Sequence, residues 1–251
     1  QPILAYVSFA KALEEYLRRG RREYTDMLFV KLSDGFFRHK NVTEGIGLLK
    51  ELEERLATAG RTDLALIVKD RLASIMERLE EWSEALDAVI TIAEANLELG
   101  DIEQGIAYYR RGVDLAVNHD MTKRGVELAF KMAGLLIDYR GLEAARPVFD
   151  EVRVYDNHSP ETVERIADIL FERGYRDEAC PIYKEVLEME PDRAQSFSRV
   201  SIIYALDGKL EEAAGLARQI FAKGLVGQIT EEYGKALDCQ PNDAAYHIKM
   251  G

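Results

Sequence analysis

The stretch PETVERIADILFERGYRDEACPIYKEVLEMEP, residues 160–191, decides the fold. Its apolar residues Val163, Ile166, Ala167 and Leu170, then Ala179, Tyr183 and Val186, recur at three- and four-residue spacing, which is the period of an amphipathic helix. The spacing predicts helices over 160–173 and 175–189. Gly174 stands between them, where the residue after a helix commonly takes a left-handed conformation that costs glycine little. Ser159 offers an N-cap oxygen, and Pro160 follows at the first helical position. Working outward, the same punctuation recurs at Gly20, Gly60, Gly100, Gly141, Gly174 and Gly208, at intervals of 40, 40, 41, 33 and 34 residues. Further helices are predicted over 3–19, 22–38, 42–59, 62–79, 83–99, 102–118, 122–139, 142–155, 194–207 and 209–223, with two more beyond. No stretch alternates in strand fashion. A unit that repeats at this length buries its apolar face only by stacking on copies of itself, so the predicted fold is an all-α solenoid of stacked antiparallel hairpins.

A second ladder runs beside the glycines. Ala65, Gly105, Ala145, Ala179 and Ala213 follow each glycine from Gly60 onward, and a small residue at one face of the second helix allows close approach to its partner. Tyr109, Phe149 and Tyr183 come one turn later and are expected to fill the space between hairpins. Asn41, Ser83, Thr122 and Ser159 are the expected N-caps of the return turns. Pro147 and Pro181 occupy equivalent places in their second helices and each removes one backbone donor.

The C-terminal units resemble tetratricopeptide repeats. Residues 160–193 carry Val163, Ile166-Ala167, Leu170, Gly174-Tyr175, Ala179, Tyr183, Val186 and Pro191 at the family's positions. Residues 194–227 carry Phe197, Val200-Ser201, Tyr204, Gly208, Leu210, Ala213, Ala217 and Ile220, with Leu225 where proline is usual. Upstream units keep the landmarks at a longer period. The expected organisation is one continuous solenoid with units of about 40 residues over 1–141, units of about 34 over 142–227, and a partial or capping repeat at 228–251. The resemblance implies a right-handed superhelix whose first helices line a concave groove for a peptide or partner helix.

Lys and Arg number 33 against 45 Asp and Glu, a net charge of -12 that argues against nucleic acid and anionic membrane as general partners. Arg18, Arg19, Arg21 and Arg22 form the one basic run and are assigned to a solvated helix end. No apolar run reaches the length of a membrane span, so no membrane insertion is expected. Cys180 and Cys239 lie about two repeats apart, further than a disulfide allows, which predicts free thiols and a cytoplasmic setting. The start at Gln1 and the short segment after Ala244 lead to the expectation of a piece of a longer protein.

Chemistry is sparse. Phosphate loops, paired-cysteine metal spacings and nucleophile elbows are missing from the sequence, and no cofactor or metal is expected. His39, His119 and His158 fall in turns of different units. Cys180 reads as a small core hydrophobe, and Trp82 either plugs the gap between hairpins or stands exposed as an anchor. The sharper expectation concerns the first helices. Registering them from the glycines gives Glu14, Glu54 and Glu94, with Asp168 at the matching place in a shorter unit. Adjacent inner positions add Glu98, Asp138, Glu161, Glu164 and Glu172, relieved by Lys50 and Lys131. This predicts an acidic groove favouring a basic or mixed-charge protein partner. Ile202, Ala205 and Leu206, next to Phe171, form an apolar patch that is either a pocket floor or is covered by a following helix. The expected function is a non-catalytic interaction scaffold or adaptor. The alternative is the interaction or output domain of a larger regulatory enzyme.

Overall fold

In the computed structural model, the residues described are 42–224, together with Ser8, Lys11, Ala12, Glu15, Tyr16, Arg19, Lys31 and Gly227. The described helices are α1 (Val42–Thr58), α2 (Thr62–Arg78), α3 (Trp82–Glu98), α4 (Ile102–Asn118), α5 (Thr122–Arg140), α6 (Leu142–Tyr155), α7 (Pro160–Glu172), α8 (Arg176–Met189), α9 (Ala194–Leu206) and α10 (Leu210–Ala222). No strand occurs among the described residues. The fold is an all-α helical repeat, with odd-numbered helices as first members of hairpins and even-numbered ones as second.

The chain forms two compact units, Gln1–Met132 and Ala133–Gly251, with the boundary inside α5. In the first unit, α1 packs on α2, α2 on α3 and α3 on α4. Leu49, Leu52, Leu56, Leu64, Val68, Leu72 and Ile75 form one of its apolar clusters. In the second unit α6 packs on α7, α7 on α8, α8 on α9 and α9 on α10. Phe197 and Ile220 close a small cluster there with Leu187, Ala194 and Leu216.

Gly174 has φ 84°, and left-handed values recur at Gly60, Gly100, Gly141 and Gly208. Glycine suits these turns because a Cβ in that region meets the following carbonyl. The return turns reach the same region with Glu80, Asp120, Asn157 and His158, whose side chains carry that strain. The small-residue ladder lies inside: Ala65, Gly105, Ala145, Ala179 and Ala213 are all buried. At Gly105 a Cβ would stand 2.4 Å from Leu97 Cδ2, so a larger residue there would displace the Leu97 side chain.

Capping follows expectation at one turn and departs from it at two. Ser159 Oγ accepts the Thr162 amide at 3.2 Å, and Pro160 opens α7. Ser83, by contrast, is the second residue of α3, whose N-cap is Glu81 without a side-chain bond. Thr122 is likewise inside its helix, as the first residue of α5. Asp101 is the cap that periodicity did not single out, accepting the Gln104 amide at 3.1 Å. Asn41 and Cys239 lie outside the described residues. Among the described residues no helix is long and apolar enough to cross a membrane.

Candidate partner-binding face

The first helices carry charged residues in register, and their surroundings differ between the units. In the first unit Glu54 on α1, Glu94 and Glu98 on α3 and Lys131 on α5 are all exposed. Lys131 Nζ donates to Glu94 Oε1 at 3.0 Å and lies 5.9 Å from the Tyr109 ring centre. The hydrogen bond to the Glu94 carboxylate raises the Lys131 ammonium's pKa. Among the described residues Glu54 and Glu98 make no side-chain ion pair, so these first helices combine open carboxylates with the bridged pairs Lys131–Glu94 and Arg124–Asp87. Glu14 lies outside the described residues.

In the second unit the expected stripe is stitched rather than open. Arg173 Nε and Nη2 donate to the two oxygens of Asp138 at 2.8 and 3.2 Å. Arg193, just before α9, reaches Glu161 at 3.1 Å, Glu164 at 2.8 Å and Glu190 at 2.7 Å. Glu161 and Glu172 are exposed, but Glu164 is 5% exposed and its second oxygen accepts from Ser196 Oγ at 2.6 Å. Phe171 and Ile202 are wholly buried. The placing of Glu164 and of the patch residues Phe171 and Ile202 on the groove is therefore corrected: they are buried in the α7–α9 interior. Phe171 meets the Tyr183 ring edge to face at 6.4 Å, with the Arg199 guanidinium 5.0 Å from its centre.

Asp168 shows why the register misled. The Tyr183 hydroxyl donates to one of its oxygens and the Gln195 side-chain amide to the other, each at 2.6 Å. Arg199 Nε stands 3.7 Å away, and Arg199 keeps two buried donors, Nε and Nη1, without hydrogen-bond partners. Burial pushes the Asp168 carboxyl up to about 6, against the opposing hydrogen bond from Tyr183 and charge of Arg199. Burial and the facing Asp168 carboxylate also push the Tyr183 phenol up. Helix register counts carboxylates but not the bases one repeat later. Lys131, Arg173 and Arg193 stand 37, 35 and 32 residues after Glu94, Asp138 and Glu161, and that offset was the available signal.

Second helices are stitched too, by residues the sequence did not single out. Arg111 on α4 grips α2 through Asp70 at 2.5 Å and Glu77 at 2.6 Å. Arg153 on α6 reaches Glu185 on α8 at 2.6 Å. Between first helices, Arg124 of α5 pairs with Asp87 of α3 and approaches Ser83 Oγ at 3.3 Å. Trp82, at the start of α3, stacks on His119, at the end of α4, with centroids 3.5 Å apart and planes 9° from parallel. Trp82 therefore closes the open end of its own hairpin. Cys180 is a buried free thiol whose pKa burial raises. Among the described residues no His, Cys, Asp and Glu cluster is arranged to hold a metal.

Residues 86–119 and 161–193 each match the family model described as Tetratricopeptide repeat. No curated protein matches the sequence. Among solved structures, a thermophilic TPR protein in Thermus thermophilus is 21% identical, covering 82% of this chain and 96% of its own, with a TM-score of 0.37. YrrB, a TPR protein with an unusual peptide-binding site, is 18% identical over 73% of this chain and 91% of its own, with a TM-score of 0.33. The Rap conjugation gene regulator of the plasmid pLS20, in complex with the Phr* peptide, is 16% identical over 92% of this chain and 74% of its own, with a TM-score of 0.39.

Proposed function

We propose that this chain, a tetratricopeptide repeat protein, is a non-catalytic interaction scaffold that holds a protein or peptide partner across the exposed face of its first helices. The observation that carries the proposal is the row of Glu54, Glu94, Glu98 and Lys131, which stays exposed on successive first helices of the first unit. A rigid array of helices presenting charge at one-repeat intervals suits an extended partner, whose side chains it meets at matching intervals. Open carboxylates at Glu54 and Glu98 favour a partner carrying basic groups and speed its encounter. Asp168 has no place in this contact, since both its oxygens already accept internal bonds.

The test is affinity capture with the full chain and with a double variant, Glu54→Lys and Glu98→Lys, at the two open carboxylates of the first unit. Circular dichroism monitors folding. The expected result is unchanged helicity and loss of the captured partner. Equal capture by the variant refutes the first-helix face as the contact.

A further inference from the structure

Among the described residues each unit has a groove between consecutive second helices. In the first unit a groove of about 620 Å³ between α2 and α4 contains Asp63, Asp70 and Asp101. Each is engaged: Asp63 with Arg61 at 3.3 Å, Asp70 with Arg111 at 2.5 Å, and Asp101 with the Gln104 amide at 3.1 Å. The second unit has a groove of about 560 Å³ running over α7 between α6 and α8. Its floor is apolar, made by Phe149, Ile166, Leu170 and Ile182. Its rim carries Asp150, Asp177 and Glu178. Among the described residues these three carboxylates make no hydrogen bond or ion pair. The two arginines at the same rim are already engaged, Arg146 with Glu143 at 2.7 Å and Arg153 with Glu185 at 2.6 Å. Arg146 senses the charges of Glu178 and Asp150 only at a distance.

Pro181 adds an independent feature. It stands inside α8 and lines this groove with Asp177, the residue four positions earlier. Proline has no N–H, so the Asp177 carbonyl loses the donor that an α-helix would supply. The Asp177 carbonyl, beside the Asp177 and Glu178 carboxylates and above the apolar floor, is thus an added acceptor suited to a cation with several N–H groups.

We propose that this groove binds an extended peptide segment with an apolar side chain flanked by lysine or arginine. The apolar group enters between Phe149 and Ile182, and the flanking cation lies across Asp177, Glu178 and the Asp177 carbonyl. Charge complementarity selects this occupant. The three rim carboxylates have no ion-pair partner and the whole chain carries -12, so an acidic segment is repelled where a basic one is drawn in.

Fluorescence anisotropy of the full chain with fluorescein-labelled Lys-Leu-Lys-Phe-Lys, and with Glu-Leu-Glu-Phe-Glu as the opposite-charge probe, tests the proposal. The basic probe is expected to bind, more weakly as salt rises, and the acidic probe is not. Neutralising the rim with Asp177→Asn and Glu178→Gln together should weaken binding about tenfold. Pro181→Ala restores an N–H that engages the Asp177 carbonyl. It should weaken the probe several-fold while circular dichroism shows helicity kept or increased, which separates lost binding from lost folding. In a Glu54→Lys, Glu98→Lys background the rim substitutions should still weaken the probe about tenfold, because the groove belongs to the second unit. The proposal is overturned if the basic probe fails to bind, or if the acidic probe binds comparably. Binding unchanged by the rim substitutions, in either background, or by Pro181→Ala overturns it equally.

Discussion

Asp168→Asn should abolish a specific part of the pH dependence of stability. The folded carboxyl titrates near about 6, against 3.8 for the unperturbed group, because α7, α8 and α9 take it out of water. Between these values the folded state holds a proton that the unfolded chain has released. Stability contributed by this group is therefore fully present below about pH 3.8 and is lost as pH rises through about 6. A shift of roughly two units at about 1.4 kcal/mol each corresponds to about 3 kcal/mol between pH 4 and pH 7. Asparagine cannot ionise, so the variant should gain about 3 kcal/mol relative to the wild type across that interval. The Arg199 charge already enters the folded pKa of Asp168, so its loss adds no separate pH dependence. The slope of the difference is the signal. Repeat arrays open locally, so the assay is hydrogen exchange of the α7 and α9 amides at several pH values, supported by urea unfolding. A wild-type-minus-variant difference that is flat with pH, or that slopes the other way, refutes the reasoning.

Arg193→Ala leaves the buried Glu164 with only Ser196 and frees Glu161 and Glu190, and should cost about 3–5 kcal/mol in the α7–α9 contact, because an uncompensated buried carboxylate remains. Urea unfolding of the full chain, with Lys131→Ala as the exposed-pair control at about 1 kcal/mol or less, measures the difference. His119→Ala uncovers one face of Trp82, so the emission of this single tryptophan should move to longer wavelength and become more open to iodide, whereas an unchanged spectrum contradicts the stack.

Much of the fold was legible because its signals are local. Gly174 and its counterparts mark turns through backbone sterics that operate whatever surrounds them. The three- and four-residue spacing of Val163, Ile166 and Leu170 names a buried face without needing to know what buries it. Ser159 with Pro160 read correctly for the same reason. Ser83 and Thr122 did not, since a hydroxyl near a turn serves as a cap only at one position, and a shift of one residue moves it into the helix. The candidate face was legible only in part. Glu54, Glu94 and Glu98 are exposed as their register implies, while Glu164 and Asp168 sit on the same kind of helix at the same kind of position and are drawn inward by Arg193, Ser196, Tyr183 and Gln195.

The sequence by itself determined that this chain is a stack of helical hairpins, where each hairpin turns, and which side of each helix is apolar, because those features follow from dihedral preference and period within a few residues. Tertiary structure alone decided which carboxylates remain open. That depends on bases about one repeat away and on how closely α7 and α9 approach, which no local pattern encodes. It also decided that Asp150, Asp177 and Glu178 gather on the rim of one groove with Pro181, since a groove between second helices exists only once two hairpins have packed.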